Sequence, residues 1–119
     1  MASQLPPEIE ATAQRVVTML RAEAGKFVPA DKLPDIRLEA AAIALCVDPS
    51  NGLAGYEGTW RNPFNERVGR LICNSDGSFY AEYDVCVRHP ARPDWFVEAV
   101  TAWGRGETIK AEARLIPML

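Results

Sequence analysis

Apolar side chains recur every three or four residues over positions 7–24, which is the spacing of one face of an α-helix. Pro6 and Pro7 stand at the start of this stretch, where the missing N–H of a proline leaves no helical hydrogen bond unmade. Gly25 follows it, and glycine commonly ends helices. The pattern therefore predicts a helix over residues 7–24. Its buried stripe would contain Ile9, Ala13, Val16, Leu20 and Ala24.

A second apolar stretch, residues 36–47, also has helical spacing and is rich in alanine, the best helix former. The alternating positions at its start leave a strand as the alternative. Because the stretch is apolar almost all round, we expect a well-buried helix. The turn residues at 48–52 would end it. Its shared face would contain Ile36, Ala40, Ile43 and Val47.

The middle third of the chain alternates between short apolar runs and turn residues, which is typical of antiparallel strands. We predict three strands, over residues 55–61, 67–73 and 78–88, joined as a meander. The first two are separated by the turn sequence Asn62-Pro63-Phe64-Asn65 and the last two by Asn74-Ser75-Asp76-Gly77.

The loop of the second hairpin predicts its register. A three-residue loop with Gly77 in the left-handed conformation places Asn74 opposite Ser78. Arg70 then faces Glu82, which is an opposite-charge pair, whereas a two-residue loop mixes the two faces. The preferred register gathers an apolar set on one face, namely Leu71, Cys73, Phe79, Ala81, Tyr83, Val85 and Val87.

After a break at residues 89–93, the spacing of Phe96, Val100 and Trp103 predicts a helix over residues 94–103. Apolar and polar residues alternate over positions 107–116, which predicts a final strand with one solvent-exposed face. The alanine and charged content of this last segment leaves a helix as the alternative. Its apolar side would contain Ile109, Ala111, Ala113 and Leu115.

Together these elements predict an α+β fold in a single domain, residues 1–119. Their order is two N-terminal helices, a three-strand antiparallel meander, a helix and a final strand. Since strand, helix and strand in that order form a β-α-β unit, the last strand would run parallel to the third or join the sheet beside the first. Either placement gives a small mixed sheet covered by helices on one face.

Composition narrows the classes of partner. Of 119 residues, 48% are hydrophobic and the net charge is −3, so the chain lacks the basic surplus that nucleic-acid binding requires. No apolar run is long enough to span a bilayer, and the N-terminus lacks the regions of a secretory signal. The three cysteines, Cys46, Cys73 and Cys86, do not suggest a disulfide framework. We therefore expect a cytoplasmic protein with reduced thiols that binds neither nucleic acid nor membrane.

Few residues are candidates for catalysis or metal binding. His89 is the only histidine and follows Cys86 by three positions, so this pair suggests a nucleophile with its base or two metal ligands. Glu82 and Asp84 share one face of a strand, where paired carboxylates can divide acid and base roles. A metal site needs more ligands than this pair, and a solvated charged face accounts for the carboxylates. We therefore predict no catalytic residue, no metal and no cofactor.

Three residues are candidates for ligand binding: Trp60, Arg61 and His89. Trp60 and Arg61 combine an amphipathic ring with a fixed positive charge at a turn, which is common in binding sites and interfaces. Packing at a strand end is the alternative for Trp60.

The C-terminal segment, residues 115–119, is almost wholly apolar and follows a strand that we expect at a sheet edge. It would pack on the protein's own core or contact a partner. The sequence thus favours a non-enzymatic binding or regulatory module that forms a homodimer, or binds a protein partner, through the C-terminal strand and tail. One alternative is a small enzyme with a pocket between sheet and helices that uses His89, Cys86 or the Glu82/Asp84 pair. The other is an accessory subunit of a larger complex.

Overall fold

The computed structural model describes residues 5–118, and within them one α-helix packs on an antiparallel sheet. The helix, α1, covers Pro7–Ala24 and confirms the prediction for this segment. Two glutamates lie in its first turn, where the helix dipole favours negative charge. Residues 1–4 and Leu119, and with them part of the N-terminal region and the end of the apolar tail, lie outside the described residues. The buried face of α1 consists of Ala13, Val16, Val17, Leu20 and Ala24.

The sheet has seven strands within residues 5–118, which are β1 Ala42–Val47, β2 Ala54–Arg61, β3 Arg67–Asn74, β4 Ser78–Tyr83, β5 Val87–Arg88, β6 Trp95–Arg105 and β7 Thr108–Pro117. All neighbouring strands are antiparallel. The order is β1-β2-β3-β4-β6, with β7 on the other side of β6. β4 and β5 lie end to end along one edge of β6, separated by a kink at which Cys86 has a φ of 50°.

The predicted meander and its register are confirmed in β2, β3 and β4, but the third strand, predicted over residues 78–88, is interrupted after Tyr83 and resumes as β5. Arg70 lies opposite Glu82, and Gly77 has a φ of 89°. The Asn74 side-chain amide donates a hydrogen bond to the Ser78 hydroxyl at 3.1 Å. The apolar face of this hairpin turns toward α1. Its buried members are Leu71, Cys73, Phe79, Ala81, Tyr83 and Val85.

The prediction of a helix over residues 36–47 is wrong. A short 3₁₀ turn, Leu38–Ala40, precedes strand β1, which pairs along its whole length with β2. In this run the larger side chains Ile43, Leu45 and Val47 alternate with Ala44 and Cys46, which is the spacing of a strand. Tertiary pairing with β2 therefore overrides the weak helix propensity of its alanines.

The prediction of a helix over residues 94–103 is also wrong, because this segment is the central strand β6. β6 lies between β4 and β7 and is buried on both faces, with Val100 and Ala102 toward α1 and Thr101 on the other side. A strand buried on both faces reads as a continuous apolar run without alternation. Helical spacing can be found in such a run by coincidence.

The final strand is confirmed as β7, but its partner differs from the prediction. A two-residue turn at Gly106 and Glu107 joins it to β6, and Gly106 has the positive φ of 60° that such a tight hairpin needs. β7 therefore runs antiparallel to β6. Because no helix separates these strands, the predicted β-α-β unit does not form and the sheet is not mixed.

Two core aromatic residues tie the connection between α1 and β1 to the sheet. The Tyr83 hydroxyl donates to the carbonyl of Pro34, and the Trp60 indole N–H donates to the carbonyl of Arg37 at 2.7 Å. Ile36, between these two carbonyls, is buried. This connection covers the sheet beside α1, whose main contacts are with β3, β4, β6 and β7.

Candidate functional site

An ion-pair network occupies the face of the sheet opposite α1, and Glu82 lies at its centre. The Glu82 carboxylate accepts a hydrogen bond from the Tyr80 hydroxyl at 2.8 Å and lies 3.4 Å from Arg67 and 3.5 Å from Arg114. Burial, and then the hydrogen bond to Glu82, raise the pKa of Tyr80, so this hydroxyl keeps its proton and remains a donor.

The other carboxylates of this network are paired in the same way. Asp84 lies 3.1 Å from Arg67, and Glu98 lies 2.8 Å from Arg114. Arg70 is opposite Glu82 in the register, yet its side chain pairs with Glu57 at 2.7 Å. Each carboxylate thus has an arginine partner, so opposite charges are paired across this face of the sheet. Glu82 and Asp84 are therefore not arranged as a general acid and a general base on either side of a substrate cavity.

Cys86 lies at the kink between β4 and β5, with its side chain exposed. Its thiol donates to the Glu98 carbonyl at 3.5 Å. Burial, and then the nearby Asp84 and Glu98 carboxylates, raise the pKa of Cys86. The thiol therefore stays protonated at neutral pH, which makes it a poor nucleophile and a poor metal ligand.

His89 is used to hold the loop that follows β5. Its Nδ1 accepts hydrogen bonds from the backbone N–H groups of Ala91 and Arg92, both at 3.1 Å. Its ring packs edge-on against Phe27, with centroids 5.2 Å apart.

The backbone separates His89 from Cys86. The N–H of His89 bonds to Trp95 and that of Cys86 to Glu98, which are three residues, or about 10 Å, apart along β6. No group of three or more metal-ligating side chains occurs in the described part of the chain.

Trp60 is buried in the core, with 1% of its surface exposed, so its ring is not available to a ligand. Arg61 is exposed, and its guanidinium donates to the Asn65 carbonyl at 3.0 Å across the β2–β3 loop. Phe64 stands on the same loop with 83% of its surface exposed, held there because the Asn62 side chain accepts the N–H groups of Phe64 and Glu66. Sequence reasoning treated this loop only as a turn and missed Phe64.

The C-terminal tail continues β7 up to Pro117. Leu115 lies opposite Val97 and packs against the core, and the N–H of Met118 donates to the Asp94 carbonyl at 2.8 Å. Ile116, opposite Phe96, is 38% exposed. Lys110, Glu112 and Arg114 stand on the wet side of the same strand. The free edge of β7 therefore carries charges and ends in a proline.

The opposite edge of the sheet, β1, is different in kind. Its sequence, AIALCV, contains no charged residue and no proline. Leu45 and Val47 are 77% and 64% exposed, and β1 has no strand partner other than β2 within residues 5–118. The signal was present in the sequence, as a six-residue apolar run without a charge, but the helix prediction placed these side chains against the core.

A shallow depression of about 430 Å³ lies between α1 and β7. None of the candidate site residues predicted from the sequence lines it. Its walls are largely apolar and come from Gln14, Arg15, Thr18, Met19, Ala22 and Ile109.

In comparisons with known proteins, the chain matches no protein-family model, no curated protein and no solved structure. The class that the fold and surface define is a helix packed on an antiparallel meander with one unprotected edge. Within residues 5–118, no helix is long and apolar enough to cross a membrane.

Proposed function

We propose that this domain is a non-enzymatic protein-binding module and that its binding site is the edge strand β1. The observation that carries the proposal is the exposure of Leu45 and Val47 on a free strand without charge or proline. A free edge presents unpaired N–H and C=O groups to any other strand. Recognition by strand addition uses such an edge, with backbone hydrogen bonds for affinity and side chains for specificity.

The contrast between the two edges supports this choice. Proteins protect the edges of their sheets with charged side chains and proline, and β7 carries Lys110, Glu112, Arg114 and Pro117. β1 has none of these devices. An edge left unprotected in a protein whose other edge is protected is best explained by a partner that covers it. For this reason we favour β1 over the C-terminal strand and tail as the contact surface.

The side chains beside this edge form an apolar surface, which we call the β1 patch: Ile43, Leu45, Val47 and Tyr56. The first three alternate along β1 and therefore share a face, and Tyr56 lies directly opposite Leu45 on β2. This is the face toward α1, but the helix packs mainly on β3, β4, β6 and β7. The β1 patch thus adds apolar side-chain contacts to the backbone edge.

The contacts made by the residues that were candidates for catalysis also favour a binding function over an enzymatic one. Cys86 is held as a protonated thiol, and His89 accepts two backbone N–H groups. Glu82 and Asp84 are paired with arginines.

The test is selection of short random peptides displayed on phage against the immobilised protein. We expect enriched peptides to be rich in β-branched and aromatic residues, which favour strands. Leu45→Lys should weaken their binding by about tenfold or more. The matched control is Ile116→Lys, the same type of change at the other edge, which should leave binding unchanged. If the selected peptides bind the Leu45→Lys variant with the same affinity as the original protein, the proposal is contradicted.

A second candidate function, an accessory subunit of a larger complex, is favoured by Phe64. A large apolar side chain that is 83% exposed on a loop fixed by the Asn62 side chain is suited to insert into a partner's pocket. If the selected peptides lose binding to the Phe64→Ser variant but still bind the Leu45→Lys variant, the binding surface is the loop that carries Phe64.

A further inference from the structure

The turn that joins β1 to β2 contains the dipeptide Asn51-Gly52, and both residues are exposed. The side-chain amide of an asparagine is open to attack by the backbone nitrogen of the next residue, and glycine hinders this attack least because it has no side chain. We infer that Asn51 is a site of spontaneous deamidation, where the chain converts its own amide to a carboxylate without an enzyme. Asn51 lies outside the β1 patch, so the outcome at this residue does not bear on the peptide binding proposed above.

The reaction needs only hydroxide and water from the solvent. The Gly52 nitrogen gives its proton to hydroxide and attacks Cγ of Asn51, and the side-chain nitrogen takes a proton from water and leaves as ammonia. The product is a cyclic succinimide that contains the Gly52 nitrogen, and water then opens this ring. Cleavage at Cγ leaves an aspartate at position 51. Cleavage at the main-chain carbonyl leaves an isoaspartate, whose side-chain carbons become part of the backbone.

Two of the other three asparagines are protected by the residue that follows them. Asn62 precedes a proline, whose nitrogen has no proton to lose. Asn65 precedes Glu66, whose side chain hinders the approach of the backbone nitrogen. The sequence alone therefore leaves Asn51 and Asn74 as the competing sites.

The fold protects Asn74, although the small residue Ser75 follows it. The Asn74 side chain is buried, and its amide donates to the Ser78 hydroxyl at 3.1 Å. The nitrogen that would attack belongs to Ser75, and its N–H donates to the carbonyl of Ala54 at 2.8 Å. Asn74 also ends β3, which lies between β2 and β4, whereas the turn that carries Asn51 lies at the edge of the sheet.

In the closed β1–β2 turn, the groups that must react are engaged in hydrogen bonds. The N–H of Gly52 donates to the Asp48 carbonyl at 2.7 Å, and Oδ1 of Asn51 accepts the N–H of Leu53 at 2.9 Å. The Asp48 carboxylate accepts the N–H of Ser50 at 2.9 Å and Nδ2 of Asn51 at 3.4 Å. The reaction therefore proceeds when the turn opens, and local opening at an exposed edge costs less free energy than global unfolding.

Deamidation changes the end of the hairpin. A carboxylate at position 51 lies beside Asp48, so repulsion between like charges replaces the hydrogen bond that Asn51 now donates. An isoaspartate also lengthens the backbone of the turn, which disturbs the bond from Gly52 to Asp48. We expect the hairpin to fray from this end, beginning with the pair Val47 and Ala54.

Trypsin places the candidates in different peptides. Cleavage after arginine puts Asn51 in peptide 38–61, Asn62 and Asn65 in peptide 62–67, and Asn74 in peptide 71–88. The folded protein is incubated at mildly alkaline pH below its melting temperature, and the peptides are followed by liquid chromatography and mass spectrometry. We expect peptide 38–61 to give two products of equal mass, the aspartate and isoaspartate forms. They should appear at least about tenfold faster than the products of peptide 71–88, because Asn74 needs a costlier opening.

Three variants test the chemistry and the role of the turn. Asn51→Gln should leave peptide 38–61 unmodified, because the longer side chain closes the larger ring much more slowly. Asp48→Ala removes the side-chain bonds to Ser50 and Asn51 and should raise the rate at Asn51 severalfold. The matched control is Asp76→Ala, which removes the equivalent bond to the turn of the next hairpin and should leave that rate unchanged.

The overturning results are specific. Modification of peptide 62–67 or 71–88 before peptide 38–61 overturns the assignment to Asn51. A folded protein whose peptide 38–61 stays intact, while the same peptide reacts in protein unfolded by urea, also overturns it, because the turn then does not open. Equal rates at Asn51 in Asp48→Ala and Asp76→Ala overturn the protective role given to the Asp48 side chain.

Discussion

Trp60 donates its indole N–H to the carbonyl oxygen of Arg37 at a distance of 2.7 Å, which joins strand β2 to the connection that precedes β1. The two residues are 23 positions apart, and the ring of Trp60 is buried in the core. A hydrogen bond of this kind satisfies the indole N–H, which belongs to a side chain that the fold buries. It also holds the 33–38 segment in place over the sheet.

The first prediction concerns this bond. Trp60→Phe removes the donor and leaves a cavity, so we expect the free energy of unfolding to fall by about 2–4 kcal/mol. Urea unfolding followed by circular dichroism measures it. The matched control is Trp103→Phe, on the half-buried opposite face of the sheet, for which we expect about 1 kcal/mol or less. Equal losses at the two positions would contradict the role given to Trp60.

The second prediction concerns acid unfolding. The Asp76 carboxylate accepts the N–H of Ser78 at 2.9 Å and pairs with Arg105 at 2.7 Å. The hydrogen bonds from Ser78, and to a smaller extent the charge of Arg105, lower the pKa of Asp76 from its ordinary value of 3.8. The unfolded chain therefore takes up this proton at a higher pH than the folded protein.

It follows that the stability due to Asp76 is fully present above about pH 4–5 and is lost as the pH falls through the lowered value. We expect Asp76→Asn to melt at a lower temperature than the original protein near neutral pH and to lose less on acidification. The slope should not vanish, because the pKa values of Asp35 and Asp48 are also lowered, mainly by hydrogen bonds from Arg37 and Ser50. Parallel curves of melting temperature against pH for the two proteins would contradict this assignment.

The third prediction concerns the thiols. Cys73 is buried against the core, and this burial raises its pKa to about 11. Cys86 is exposed and Cys46 half-buried. With a disulfide reagent at neutral pH we expect Cys86 to react first, and Cys73 to react only at the rate of global unfolding. Adding denaturant should release Cys73 at the same midpoint as the circular dichroism signal, and early reaction of all three thiols would count against the fold.

The fourth prediction compares two glycines that flank the start of β2. A Cβ on Gly55 would lie 2.3 Å from the Cys73 carbonyl oxygen, so Gly55→Ala should destabilise the protein by about 3 kcal/mol or more. Gly52 has open space around it but a φ of 72°, so Gly52→Ala should cost about 1 kcal/mol through backbone strain alone. Thermal unfolding of both variants measures the difference, and a larger loss at Gly52 would contradict the close approach of β2 and β3.

The parts of the fold that sequence predicts well are those with one buried and one wet side. The stripe of α1, the hairpin with Arg70 opposite Glu82, and the alternation of β7 all belong to this class. The prediction for the segment that forms β6 was wrong because Val100 and Thr101 are buried on opposite faces of the sheet. Burial on both faces removes the alternation that identifies a strand.

The candidate site was missed for a related reason. Leu45 and Val47 are apolar, and apolar residues in a periodic run are assigned to the core, whereas here they lie at 77% and 64% exposure. Only the pairing of β1 with β2, and the absence of another strand beyond it in residues 5–118, shows them to be surface residues. Phe64 is similar, since its exposure depends on how the Asn62 side chain holds its loop.

The order of the elements along the chain has a consequence for synthesis. The sheet is a meander, so each hairpin can form soon after its second strand leaves the ribosome. The helix α1 is made before the strands, yet its main contacts are with β6 and β7, which are the last strands of the sheet to be made. Its apolar face must therefore stay uncovered until β6 and β7 have been synthesised. That interval is when the nascent chain is most exposed to aggregation and most in need of a chaperone.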